Sequence, residues 1–234
     1  MSVFQFKHFQ IQQQHAALKV GTDAMILGAF CHWDAPGKLL DIGTGTGVLT
    51  LMCAQRFPFR EITGLEISEE AVRDAQINAQ NNPFDSPISI VHQAVQDFQP
   101  DHLFDAIISN PPFFENSLPN EDAQKSLARH TASLPFPELI RHIDRLLTPE
   151  GSAWIIVPDT AEIQLETLAS KNGLFIKKKI HVEGKPGKHV RTIYCFSRID
   201  SPAEISEFTI RTDSGTYSDA YKVLTKEFHN KALP

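Results

Sequence analysis

Asp41-Ile42-Gly43-Thr44-Gly45-Thr46-Gly47 decides the fold of this chain. A strand at 38–42 leads into it, and Val48, Leu51, Met52 and Ala54 follow at helical spacing, so it joins a strand to a helix. Glycine takes backbone conformations that side chains forbid and lets a ligand approach the chain closely. In an open α/β sheet such a turn sits where ligands bind, at the carboxyl ends of the strands. The dinucleotide fingerprint G-x-G-x-x-G would put its third glycine at position 48, which is Val48. A nicotinamide-linked oxidoreductase is therefore disfavoured. Glycines at 43, 45 and 47 behind Asp41 suit a different nucleotide ligand.

Working outward, 62–67 is a second strand with Glu66 at its end. Ser68 caps the following helix, Glu69 and Glu70 complement its first turn, and Ala71, Val72, Ala75 and Ala79 recur at helical spacing. A third strand at 88–92 leads to Asp97. The fourth, 104–109, stops at Asn110-Pro111-Pro112-Phe113, because each proline lacks an N–H and fixes its φ. That stop is a rigid loop holding an amide and an aromatic ring. Residues 114–133 are polar and irregular, too long for a simple connection, and read as a substrate loop. A helix at 135–147, a strand at 152–157 and a helix from Asp159 to near Gly173 follow. The strands 174–182 and 190–197 then form an antiparallel hairpin around 184–187. The tail holds a strand-like piece at 208–211 and a last helix. Upstream, Phe4, Phe6 and Phe9 alternate with polar residues as an aromatic strand or arm. Thr22 or Asp23 is placed to cap a helix through Ala24, Leu27 and Phe30.

This order predicts a Rossmann-like α/β fold: a doubly wound, mostly parallel seven-stranded sheet with a C-terminal antiparallel hairpin and helices on both faces. Residues 1–234 read as one domain, with an N-terminal arm at 1–20 and a tail element at 200–234. The 234 residues, 41% hydrophobic and 21% charged, suit a soluble globular protein with a full core. No apolar run reaches the roughly 20 residues that span a bilayer, and the first 15 residues lack the layout of a signal peptide. Cys31, Cys53 and Cys195 are odd in number and unclustered, which argues against a disulfide framework or a zinc site and fits a reducing cytoplasm. No metal is called for, and a monomer is favoured. Net charge is −6, yet 171–198 carries eight basic residues and one acid. Such a basic stretch on an acidic chain is either a phosphate-binding footprint, including Lys177, Lys178, Lys179, Lys188 and Arg191, or a solvated hairpin.

Asp41 with the three glycines, Glu66, Asp97 and the N-P-P-F run, in this order at four strand ends, resemble the class I S-adenosylmethionine-dependent methyltransferases. The resemblance implies that Asp41, Gly43, Thr44, Gly45 and Gly47 pack beside the amino-acid portion of S-adenosylmethionine. It implies that Glu66 accepts from the ribose hydroxyls, that Asp97 meets the adenine amino group, and that Ile67 and Phe98 pack on the ring faces. Lys19, Thr22 and Asp23 would line the same site, with Asn110 at its border.

N-P-P-F sets the acceptor chemistry. An exocyclic amine is a poor nucleophile, its lone pair being delocalised into the ring. The Asn110 side-chain oxygen and the Pro111 carbonyl are acceptors that can draw its N–H groups and favour a pyramidal nitrogen. Pro112 stiffens the loop, and Phe113 would stack on a base taken out of its stack. In related families the acceptor is adenine N6, guanine N2 of rRNA or a protein glutamine, and a non-catalytic RNA-binding member is a further alternative. Phe6-Lys7-His8-Phe9, Lys19 to Asp23 with Leu27-Gly28-Ala29, Arg129-His130 and Lys188-His189-Val190-Arg191 resemble the tRNA(Val) adenine-37 N6-methyltransferase family. That resemblance implies a tRNA substrate, with Arg129 and His130 joining the basic hairpin as candidate RNA contacts.

Overall fold

The computed structural model describes residues 2–16, 18–33, 37–58, 60–111 and 134–233. Pro112, Phe113, Arg129, His130 and the expected substrate loop at 114–133 lie outside the described residues.

The aromatic start is a small hairpin of its own, β1 (Val3–Gln5) antiparallel to β2 (Gln10–Gln12). Phe6 stacks on Phe9 with ring centroids 4.2 Å apart, and both rings are buried in the main core. Next come α1 (Thr22–Phe30), β3 (Leu39–Ile42), α2 (Val48–Arg56), β4 (Ile62–Glu66), α3 (Glu69–Gln80), β5 (Ile88–His92) and β6 (Phe104–Ser109). After the undescribed segment follow α4 (Phe136–Leu146), β7 (Leu147–Pro158), a 3₁₀ turn at Asp159–Ala161 and α5 (Glu162–Lys171). The hairpin β8 (Phe175–Lys185) and β9 (Lys188–Ser197), β10 (Glu204–Thr209) and α6 (Asp219–Thr225) complete the chain.

The main sheet has the order β10-β8-β9-β7-β6-β3-β4-β5. Strands β3 to β7 are mutually parallel, and β9 is antiparallel to both β7 and β8. Neighbouring residues of one strand serve opposite faces. Leu39, Ala106 and Ile156 join α1 and α2 in one apolar cluster, while Leu40, Ile107 and Ile155 join α4 and α5 in the other. The near-continuous apolar runs that marked these strands reflect burial on both faces.

Two expectations need correction. Among the described residues the sheet has eight strands, not seven: β10 adds beside β8 in parallel, Glu204 opposite Lys178 and Thr209 opposite Glu183. The piece expected at 208–211 overlaps only its end. Glu204, Ile205, Ser206 and Glu207 are exposed on this edge, so main-chain pairing makes the strand without leaving a hydrophobic alternation. Secondly, neither Thr22 nor Asp23 caps α1; Gly21 holds the N-cap position without a side-chain bond, and Asp23 has another partner. Ser68 does cap α3, its Oγ accepting from the Ala71 N–H at 3.3 Å.

Candidate active site

The sheet order brings the sequence signals together. β6, β3, β4 and β5 are consecutive neighbours, and Asn110, the glycine turn, Glu66 and Asp97 follow their carboxyl ends in that order. With strands about 4.8 Å apart, these four ends span roughly 14 Å.

The turn after β3 has Gly43, Gly45 and Gly47 at φ 73°, 58° and 82°. These left-handed conformations are where a side chain is strained. A Cβ on Gly43 or Gly45 would meet none of the described residues within 4 Å, so both backbones are left uncovered by them. Gly47 instead backs onto α3, with a Cβ there lying 3.6 Å from Ala75 Cα. Beneath the turn Asp41 is fully buried. Its Oδ2 accepts from Thr44 Oγ1 at 2.7 Å and Thr50 Oγ1 at 2.9 Å, whereas Oδ1 is buried with no partner among the described residues. Burial raises the Asp41 carboxyl to about 6; the two threonine hydroxyls pull it back down, and the Glu66 charge adds to the rise.

Glu66 ends β4 with its carboxylate spread over three amides. Oε2 accepts from Gly45 N at 2.8 Å, and Oε1 from Ile67 N and Ser68 N, both at 2.9 Å. Oε1 has thus used both lone pairs, while Oε2 keeps one. Ile67 is 45% exposed and Asp97 is exposed beyond β5. Phe98 is half-buried, its ring centroid 6.2 Å from that of Phe104. At the end of β6, Ser109 Oγ donates to the Ile42 carbonyl at 2.8 Å, fixing the strand end beside the glycine turn. Asn110 is half-buried there and Pro111 is buried.

The other candidates divide. Lys19 and Thr22 are exposed. Asp23 Oδ2 accepts from Arg191 Nε at 2.9 Å, joining α1 to β9 and linking a residue expected at the cofactor to one expected at RNA. In the basic hairpin Lys177 and Lys188 are exposed, and Lys178 pairs with Glu204 at 2.8 Å. Lys179 is drawn inward between Glu162 at 2.9 Å and Glu166 at 2.7 Å. Around Glu162 the atoms of His181 and His189 that could ligate a metal lie within 4.8 Å of one another. His189 Nε2 is already 2.7 Å from the Arg191 carbonyl, and Glu162 also accepts from Thr192 Oγ1.

Sequence reasoning missed a clasp on α3. Asp74 and Asn78 are 1% and 2% exposed on the same buried face as Ala71 and Ala75. Asp74 Oδ2 accepts from His15 N at 2.8 Å and Ala16 N at 2.9 Å. Asn78 bonds both the N–H and the C=O of Gln12 at 2.8 Å and donates to the Thr46 carbonyl at 2.8 Å. One helix therefore ties the N-terminal arm to the glycine turn. The signal was available: two polar residues four apart on an otherwise apolar helical stripe. Arg145 was missed as well; its NH2 donates to the Val95 and Phe98 carbonyls at 3.1 and 2.8 Å, bracing the segment that carries Asp97.

Among known families, the model for the methyltransferase small domain matches residues 15–169. A tRNA1(Val) (adenine(37)-N6)-methyltransferase of Pedobacter heparinus is 37% identical over 228 residues, covering 97% of each chain. A protein of the same name from Pseudoalteromonas translucida is 37% identical over 232 residues, covering 99% of this chain and all of that one. Of solved structures, a predicted O-methyltransferase of Agrobacterium tumefaciens aligns with TM-score 0.65 and 18% identity over 88% of this chain and 96% of its own. A ribosomal protein L11 methylase of Lactobacillus delbrueckii aligns with TM-score 0.54 and 21% identity, covering 76% and 77%. At these identities the structural likeness speaks for the fold alone. No helix among the described residues is long and apolar enough to cross a membrane.

Proposed function

Because the chain belongs to the methyltransferase small-domain family and, within it, to the tRNA1(Val) (adenine(37)-N6)-methyltransferases, we propose that it methylates the N6 amine of adenine 37 in tRNA(Val). S-adenosylmethionine is the cofactor. The observation that carries the reading is the adjacency of four strand ends, β6-β3-β4-β5, bearing an amide, a glycine turn and two acids in that order.

The residues present fit the cofactor. Among the described residues nothing covers the backbone of Gly43 and Gly45 and no donor meets the buried Asp41 Oδ1, an acceptor suited to a cationic amino group nearby. Glu66 Oε2, with one lone pair in hand, would accept from a ribose hydroxyl. Asp97 would accept from the adenine amine, with Ile67 and Phe98 against its ring. When bound, S-adenosylmethionine supplies an electrophilic methyl group on a sulfonium.

This chain's part in the transfer is positioning and electrostatics. The Asn110 side-chain oxygen and the Pro111 carbonyl would accept from the two N–H groups of the target amine. Holding both lets the nitrogen lone pair turn out of conjugation toward the methyl. The Ser109–Ile42 hydrogen bond keeps these acceptors in register with the glycine turn. Phe113 would stack on the extruded base, and the exposed Lys177 and Lys188 would meet phosphates. The basic footprint is narrower than its composition suggests, since Lys178 and Lys179 are engaged by carboxylates.

Transfer of tritium from labelled cofactor into tRNA, rRNA and protein pools tests the reading. Label in tRNA is expected. Label found only in rRNA or only in protein would refute it.

A further inference from the structure

Beside the segment that carries Asp97, a cleft of about 530 Å³ lies between α4 and residues 96–100, lined by Gln96, Gln99, Pro100, Arg141, His142 and Arg145. Arg141 and Arg145 are four residues apart, one turn of α4, so both stand on the same wall. Arg141 is exposed and makes no ion pair among the described residues. Arg145 is held in place: one nitrogen donates to two carbonyls of the facing segment, and Nε donates to His142 Nδ1 at 3.3 Å. His142 is 5% exposed. Since its Nδ1 accepts from Arg145, the ring proton of the neutral imidazole sits on Nε2. That nitrogen is closed off from solvent and has no partner among the described residues. Burial, then the charges of Arg145 and Arg141, hold the imidazole below its usual range, while Glu138 pulls the other way. Glu138 itself accepts from Gln96 Nε2 at 2.6 Å. The cleft thus combines two guanidiniums and two amides above a buried imidazole, and one carboxylate stands beside it.

We propose that this cleft is a phosphate site that holds a phosphodiester of the RNA substrate. The inference rests on tRNA being the substrate. An oxyanion seated there is offered bidentate donors by Arg141, a geometry suited to phosphate, with the fixed charge of Arg145 one turn away. The far wall runs on directly from Asp97 and Phe98, so RNA docked here would also press on the segment expected to hold the adenine of the cofactor. None of these residues belongs to the basic hairpin. The composition of 171–198 therefore describes only part of the RNA-facing surface.

Arg141→Ala and Arg141→Glu test it, since the side chain is exposed and its loss spares the core. Binding of tRNA is measured across a salt series, and cofactor binding is measured alongside. The site predicts 3- to 10-fold weaker tRNA binding for Arg141→Ala at low salt and a larger loss for Arg141→Glu. It also predicts a slope of log K against log salt that is shallower by about 1, with cofactor affinity unchanged. Wild-type affinity and slope in both variants would overturn it. A second arm follows thermal stability with inorganic phosphate against chloride of equal ionic strength. If phosphate stabilises wild type but not Arg141→Glu while tRNA binding is the same in both, the cleft belongs to a free phosphate compound and the RNA assignment fails. Methyl transfer to tRNA by the wild type is read separately, so failure of the cleft and failure of the proposed function give different results.

Discussion

The backbone N–H of Gly45 donates to Glu66 Oε2 at 2.8 Å, tying the glycine turn of one strand to the acid that ends the next. The same carboxylate caps the Ile67 and Ser68 amides, so it shapes the site before any ligand arrives. Glu66→Ala removes those anchors together with the expected ribose acceptor. Hydrogen bonds to charged groups contribute about 1.5–3 kcal/mol. Calorimetric titration with S-adenosylmethionine should show affinity weakened at least 10-fold, with tRNA binding kept. Unchanged affinity would remove Glu66 from the cofactor site.

Asn78 joins the N-terminal arm to the glycine turn through three hydrogen bonds from a buried side chain. Asn78→Ala leaves the Gln12 amide and carbonyl and the Thr46 carbonyl short of partners. Unmet buried groups cost about 1–3 kcal/mol each where water cannot reach them. A thermal melt should show a loss of several degrees, with cofactor affinity falling alongside. An unchanged melt would mean that the arm holds itself in place.

Burial raises Asp41 from 3.8 to about 6. An acid raised on folding stabilises the fold below its unfolded value, and that contribution is lost as pH rises through the folded one. The difference in melting temperature, wild type minus Asp41→Asn, should therefore fall between pH 4 and 6 and level off above. A difference independent of pH would contradict the assignment. With S-adenosylmethionine present the fall should shrink, because a cation near Asp41 favours its charged form.

Lys179 stands between Glu162 and Glu166, its ammonium held above the usual range by those two carboxylates against the opposing effect of burial. Lys179→Ala should lower the melting temperature with tRNA affinity retained, because it leaves Glu162 and Glu166 without their shared cation in a partly buried site. Lys177→Ala, at an exposed position, should leave the melt unchanged and flatten the salt slope of tRNA binding by just under 1. Melts and salt titrations on both variants check this; the reverse pattern would make Lys179 the RNA contact.

The sheet was legible because burial on both faces writes itself into the sequence. Phe104 to Ser109 matches its expected limits for that reason; Ile88 to His92, a half-exposed edge strand, matches its limits without such burial, and the glycine turn, Glu66, Asp97 and Asn110 lie at adjacent strand ends. What stayed hidden was made by main-chain or long-range polar contacts. The β10 edge leaves no alternation to read. Asp23 looked like a cap because its partner, Arg191, lies 168 residues away. A run of lysines gives a charge but not a direction, so Lys177, exposed, and Lys179, locked between two acids, were indistinguishable before folding.

The central claim is that the acceptors after β6 act on an adenine amine in RNA. Nucleoside mass spectrometry of tRNA(Val) incubated with the protein and S-adenosylmethionine tests it most directly, with Asn110→Ala as the paired sample. N6-methyladenosine is expected with the wild type and none with the variant, although the variant still binds cofactor. N2-methylguanosine in place of N6-methyladenosine, or a fully active Asn110→Ala protein, would contradict it.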